Sequence, residues 1–128
     1  MPNSPSPPRR TALVVDDFQD TADLLAELLD ACGFDTAIAH DGEQAIQMAN
    51  LLHPDLVLLD IGLPKGSGLE VCSRIRHELW GAGARIVAVT GQDLSTMRQP
   101  LIDAGFDEIL AKPCSFRDIS GVLEAQKH

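Results

Sequence analysis

The stretch LVLLDIGLPKGSG, Leu56 to Gly68, decides how this chain is read. Four aliphatic residues run together, stop at one carboxylate, Asp60, and give way to glycines and a proline. The run does not alternate polar with apolar residues, so a strand here has both faces covered, as in a parallel sheet. Asp60 then emerges at the carboxyl end of that strand. The glycines and Pro64 after it let the backbone turn sharply before the next helix.

Working outward, the same kind of run recurs at Ala12 to Val15, Ile86 to Val89 and Ile109 to Ala111, with a weaker one at Thr36 to Ala39. Helical spacing fills the intervals. Leu25, Leu28, Leu29 and Cys32 form one stripe, and Cys72, Ile75 and Leu79 a second. Leu94, Met97 and Leu101 form a third, and Phe116, Ile119 and Leu123 a fourth. All read as core. Asp20 and Asp41 are placed to cap the first two helices, and Ser115 with Asp118 to form a capping box for the last. CGFDTAIA and AGFDEILA echo one another, with Gly33 and Gly105 suited to the left-handed residue that closes a helix. Strands alternating with helices of this length imply right-handed crossovers and a doubly wound α/β sheet of about five strands and five helices.

The 128 residues suffice for about one domain with a single core. At 45% hydrophobic, 23% charged and 4% aromatic, with no tyrosine, that core is aliphatic. Residues 1–10, MPNSPSPPRR, read as a Pro/Ser-rich tail or linker, and residues 11–128 as the folded domain. The tail lacks a signal-peptide core, and no apolar run approaches the roughly 20 residues of a membrane helix, so the expectation is cytoplasmic with no membrane contact. A net charge of −9 repels a phosphate backbone, which argues against nucleic acid as a partner. Cys32, Cys72 and Cys114 are odd in number, lack a CxxC spacing and read as small thiols beside apolar residues.

The ends of four of the five strands carry the chemistry. The first run stops at Asp16 and Asp17, the third strand at Asp60, the fourth at Thr90 and the fifth at Lys112. In a doubly wound sheet these ends border the ligand crevice. A lone Asp after a strand is more often an ordinary loop residue; five such residues at one edge are not readily ordinary. Three carboxylates repel unless a cation sits among them, and oxygen-only ligands suit a hard ion such as Mg²⁺. Lys112 supplies a point charge for phosphate and Thr90 a hydroxyl donor, which makes a cradle for phosphoryl transfer onto an aspartate.

These residues also carry a family resemblance. VVDD (Val14–Asp17), LLDIGLP (Leu58–Pro64), GLE (Gly68–Glu70), AVTG (Ala88–Gly91) and AKP (Ala111–Pro113) occur in the order found in receiver domains of two-component response regulators. The resemblance spans about Thr11 to Glu124 and implies a flavodoxin-like strand order 2-1-3-4-5. It implies Asp60 as phosphoacceptor, and Asp16, Asp17, Asp60 and the Gly62 carbonyl around Mg²⁺ or Mn²⁺. Thr90 and Lys112 would bind the phosphoryl group, Pro113 would follow a cis peptide bond, and Gly91 and Gln92 would border the pocket. A histidine kinase or histidine phosphotransfer protein would be the donor, and the face of helix 4, strand 5 and helix 5 would meet a downstream protein. Three positions depart from the pattern. Ile109 stands where the family usually has an aromatic, Pro100 falls inside the fourth helix, and Ser67 replaces a frequent acid. Together with the DIGLP wording, Ile109 resembles receivers of hybrid histidine kinases.

Other classes fit less well. A haloacid-dehalogenase-type phosphatase wants carboxylates at i and i+2, whereas Asp16 and Asp17 are adjacent. A flavodoxin-like cofactor binder wants a Ser/Thr/Gly-rich phosphate loop where this chain reads DDFQDTA, and no P-loop is present. An unphosphorylated docking module remains the third reading.

Overall fold

The computed structural model describes residues 10–63, 67–91, 94–112 and 115–126, with side chains 94–97 and 124–126 outside that description. The strands are β1 (Arg10–Val15), β2 (Phe34–Ala39), β3 (Leu56–Asp60), β4 (Arg85–Thr90) and β5 (Glu108–Ala111). The helices are α1 (Gln19–Ala31), α2 (Gly42–Leu52), α3 (Gly68–His77), α4 (Leu94–Ala104) and α5 (Phe116–Gln126), with a 3-10 turn at Trp80–Gly83. All strand pairs are parallel, in the order β2-β1-β3-β4-β5, as expected from the sequence. Arg10, assigned by composition to the tail, begins β1 opposite Phe34.

The absence of alternation in the strands has its cause in the two cores. Leu13, Val15, Val57, Leu59, Ile86 and Ala88 face Ala45, Ala49, Val71, Cys72, Ile75 and Leu101 on α2, α3 and α4. The intervening Ala12, Val14, Leu56, Leu58, Val87 and Val89 face Ala22, Leu25, Leu29, Ile119 and Val122 on α1 and α5. β3 is buried along its whole length. Burying each such Leu or Val contributes about 1.5–3 kcal/mol, which is why the central strands tolerate no polar residue before their ends.

Helix boundaries follow local chemistry. Asp41 caps α2, accepting from the Gln44 N–H at 2.8 Å. Ser115 and Asp118 form the reciprocal capping box, at 2.9 and 3.2 Å. Gly33 (φ 97°) and Gly105 (φ 109°) take the left-handed conformation. At Gly105 the closure is a Schellman motif: Phe106 N–H reaches the Leu101 carbonyl and Gly105 N–H the Ile102 carbonyl.

Several expectations are corrected. Asp20 does not cap α1; Phe18 holds that position without a side-chain bond, and Asp20 lies in the first turn, favourably placed for the helix dipole. Leu79 is 98% exposed instead of core, because α3 stops at His77 and the chain turns away. Gly81 permits that turn, since a Cβ there would collide with the Ile75 carbonyl. Phe116 is also exposed, at the first position of α5, and Val122 fills the core in its place. α4 runs through Pro100, which cannot donate to the Thr96 carbonyl one turn earlier. Leu101 of its stripe is fully buried, while the Leu94 and Met97 side chains lie outside the described residues.

Candidate functional site

The carboxyl ends of β1, β3, β4 and β5 come together. β1 continues through Asp16, whose N–H still donates to the Ala39 carbonyl at 3.0 Å, so its side chain is fixed by the sheet. Asp16 is 1% exposed, Asp60 and Thr90 are buried, and Asp17 is exposed. Carboxylate oxygens of Asp16, Asp17 and Asp60 lie within 4.8 Å of one another. Lys112 reaches in from the end of β5, with Nζ 2.9 Å from Asp16 Oδ2 and 3.1 Å from Asp60 Oδ2. Burial works against the Lys112 charge, but contacts with Asp16 and Asp60 outweigh it and raise the ammonium pKa above its usual value.

The remaining oxygens are held by main chain. Asp60 Oδ1 accepts the Gly62 N–H at 3.0 Å, and Asp16 Oδ1 the Phe18 N–H at 2.9 Å. Asp16 Oδ2 is different. It is buried, and among the described residues its only partner is the Lys112 ammonium, at 2.9 Å. Three carboxylates with one ammonium leave the cluster anionic, and a buried carboxylate oxygen with spare acceptor capacity suits a hard cation. The residues therefore fit a divalent ion bound by oxygen.

Thr90 ends β4 next to Val89, the register partner of Asp60, and its carbonyl accepts the Lys112 N–H at 2.9 Å. The residues that carry the hydroxyl and the ammonium are thus joined by one main-chain hydrogen bond between the ends of β4 and β5. Ile109 sits opposite Ala88 and packs, half-buried, on the α2–α3–α4 side of the sheet. Gly91 follows Thr90 and is exposed. Gln92, Pro113 and Cys114 lie outside the described residues.

The glycines divide unequally. A Cβ at Gly62 would lie 3.9 Å from Asp60 Oδ1, an ordinary contact, so space does not require glycine there. Gly68 does need to be glycine: a Cβ would meet the Asp60 carbonyl at 2.9 Å and Ile61 Cα at 3.0 Å. The first residue of α3 is pressed against the backbone of the residue that ends β3. Ser67, the departure from the acidic pattern, caps α3 by accepting the Glu70 N–H at 3.1 Å. One residue at this edge was not singled out from sequence. β2 also ends here, at Ala39, and is followed by His40, whose Nδ1 lies 3.2 Å from the Asp16 carbonyl. Asking of β2 what was asked of the other strands, which polar residue follows the last apolar one, finds it.

Residues 12–124 match the response regulator receiver domain family. The chain belongs to that family. It is a receiver domain of two-component signal transduction, and the acidic pocket at its strand ends is the family's pocket. The alkaline phosphatase synthesis transcriptional regulatory protein PhoP of Bacillus subtilis is 34% identical over 113 residues, 88% of this chain and 46% of PhoP. The receiver thus spans about half the length of the curated relatives it matches. The receiver domain of the sensor histidine kinase PA1611 from Pseudomonas aeruginosa superposes with a TM-score of 0.83 at 26% identity, covering 92% of this chain and 97% of that one; it carries magnesium in its active-site cleft. A response regulator of Burkholderia pseudomallei with a phosphorylated aspartic acid and a calcium ion superposes at 0.79 and 25% identity, covering 92% and 72%. No helix among the described residues is long and apolar enough to cross a membrane.

Proposed function

We propose that this receiver takes a phosphoryl group onto Asp60 from the phosphohistidine of a histidine kinase or histidine phosphotransfer protein. The observation that carries the reading is the placement of Asp60: buried at the end of β3, among Asp16 and Asp17, with Lys112 Nζ 3.1 Å away. An Asp60 carboxylate oxygen forms the new O–P bond as the donor's P–N bond breaks. The imidazole leaves with the bonding electron pair and takes up a proton from water. No general base is needed, because the attacking carboxylate carries no proton. Asp16, Asp17, Asp60 and the Gly62 carbonyl would hold Mg²⁺, which when bound neutralises charge on the transferring oxygens. Lys112 supplies the second cation, and Thr90 a hydroxyl donor toward the new phosphoryl oxygens.

The signal then leaves through main chain. Drawing Lys112 toward a phosphoryl group pulls on the Lys112 N–H to Thr90 carbonyl bond, and so on the paired ends of β4 and β5. Ile109 has no ring to swing on that path, so the response on the α4–β5–α5 face is weaker or differently routed than in receivers with an aromatic there. That substitution and the DIGLP wording favour a receiver of the hybrid-kinase kind, and the likeness to the receiver of a sensor histidine kinase supports it.

Incubation with Mg²⁺ and acetyl phosphate, followed by intact mass, tests the acceptor. The parent gains one phosphoryl group and Asp60→Asn does not. A folded parent that gains nothing from any donor sinks the reading and leaves a docking module in its place.

A further inference from the structure

In a parallel ladder Asp16 would exchange two main-chain bonds with β2, its N–H to the carbonyl of residue 39 and its carbonyl to the N–H of residue 41. The first is present, at 3.0 Å. β2 ends at Ala39, however, and among the described residues no Asp41 N–H bond to the Asp16 carbonyl is present. The donor that reaches the Asp16 carbonyl is instead the His40 side chain, through Nδ1 at 3.2 Å. A carbonyl oxygen only accepts, so this bond requires the His40 proton on Nδ1. The His40 main chain is itself pinned. Its N–H donates to Gln44 Oε1 at 2.8 Å, and the Gln44 N–H donates to Asp41 Oδ1 at 2.8 Å. A chain of hydrogen bonds therefore runs from the first turn of α2 to the peptide that joins Asp16 to Asp17.

We infer that His40 is a positioning residue for the acidic pair: its Nδ1–H fixes the Asp16–Asp17 peptide plane and thereby aims both carboxylates at a divalent cation. The peptide is rigid and planar, so holding the Asp16 carbonyl also sets the direction in which the Asp17 N–Cα bond departs. Asp16 is held by the sheet on its N–H side, but Asp17 is exposed and lies beyond the ladder. The imidazole is thus the last fixed point before the exposed ligand. Groups behind a metal ligand commonly change affinity by about 10–100-fold when removed, and a bond to ligand backbone belongs at the lower end.

The inference rests on the reading of Asp16, Asp17 and Asp60 as a Mg²⁺ site, and the test separates the two. Mg²⁺ affinity is measured by titration calorimetry for the parent chain and for His40→Ala, His40→Gln and His40→Asn. The Asn amide nitrogen can stand where Nδ1 stands, whereas that of Gln stands nearer Nε2. Ala and Gln should therefore weaken Mg²⁺ binding about tenfold, with Asn within about twofold of the parent. Melting curves for each variant identify any that fails to fold. Parent affinity in Ala and Gln overturns the inference, and so does an Asn variant as weak as Ala. In the metal-free protein, long-range ¹H–¹⁵N spectra at a pH where imidazole is neutral should place the His40 proton on Nδ1; a proton on Nε2 overturns the contact itself. A parent that binds no Mg²⁺ instead fails the metal reading, and the tautomer measurement still decides the His40 bond.

Discussion

Removing the Lys112 charge is the sharpest probe of the acidic site. Lys112→Met keeps the apolar stem and deletes the ammonium, whose side chain is 26% exposed. At an effective dielectric of about 20, contacts of 2.9 and 3.1 Å are each worth roughly 5–6 kcal/mol before the cost of desolvating the ions. Breaking a buried pair from one side costs about 3–5 kcal/mol, because the stranded carboxylates stay buried. Here Asp60 Oδ1 and Asp16 Oδ1 keep their main-chain donors and the lysine is partly wet, so we expect a loss of about 2–3 kcal/mol. For a chain of this size that lowers the melting temperature by roughly 10 °C without added metal. The compensating signature is the metal response. Mg²⁺ at about 100 times its dissociation constant stabilises the parent by about 2.7 kcal/mol. The variant, with no cation left among its carboxylates, should gain more and recover most of its deficit. Calorimetric melts with and without Mg²⁺ decide it. Variant and parent melting within about 2 °C of each other in the absence of metal, with equal Mg²⁺ responses, would refute the view that Lys112 neutralises this cluster.

Gly68→Ala should destabilise the fold by about 1–3 kcal/mol and slow acetyl-phosphate labelling of Asp60, since the new methyl meets the backbone of Asp60 and Ile61; chemical denaturation and labelling rates check it. Burial pushes the Cys72 thiol up to about 11, partly offset by the Arg76 guanidinium, so the folded state resists ionisation that the unfolded chain undergoes near 9. That stability is intact below about pH 9 and is lost as pH rises through about 11, by up to about 2.7 kcal/mol; a Cys72→Ala variant should show a shallower alkaline decline. The Lys112 shift acts in the same direction above its ordinary value of 10.5 and remains in that variant. Pro100→Ala restores a donor to the Thr96 carbonyl and should raise stability by about 1–3 kcal/mol in denaturant melts; no gain would mean that α4 has already relaxed around the proline.

Apolar runs revealed the strands because burial on both faces leaves no room for a polar residue until the chain leaves the sheet. That same rule exposed Asp16, Asp60, Thr90 and Lys112. His40 escaped it because FDTAIA carries Asp35 and Thr36, which blur the strand and with it the polar residue that follows. Leu79 and Phe116 were misplaced for a related reason. A 3.6-residue period reports which side chains share a helix face, but where the helix stops depends on contacts distant in sequence or on a single cap. The chain turns at Gly81, packed against Ile75, before the period of α3 runs out, and Ser115 starts α5 with Phe116 still outside the core.

The two ends of the sheet are held by different forces, and this determines where a signal can travel. At the end opposite the acids, Arg76 of α3 donates to the carbonyls of Gly81, Ala84 and Gly105 and pairs with Asp107 at 2.6 Å. Asp107 in turn accepts the Ile86 N–H at 2.8 Å, so one guanidinium joins α3, the 3-10 turn, the close of α4 and the starts of β4 and β5. Those bonds are directional and fan out from one planar group, and they hold one arrangement. At the acidic end, cohesion comes from Lys112 shared between two carboxylates, one of which has an oxygen with no other donor. A single mobile ammonium between competing anions changes partners when the charge around it changes, at little cost in packing. We therefore expect a charge placed on Asp60 to reposition the Thr90 and Lys112 end of β4 and β5, while Gly105 and Phe106, fixed by Arg76 and by the Schellman closure, do not follow. The difference would then be absorbed along α4, the helix whose hydrogen-bond ladder Pro100 interrupts.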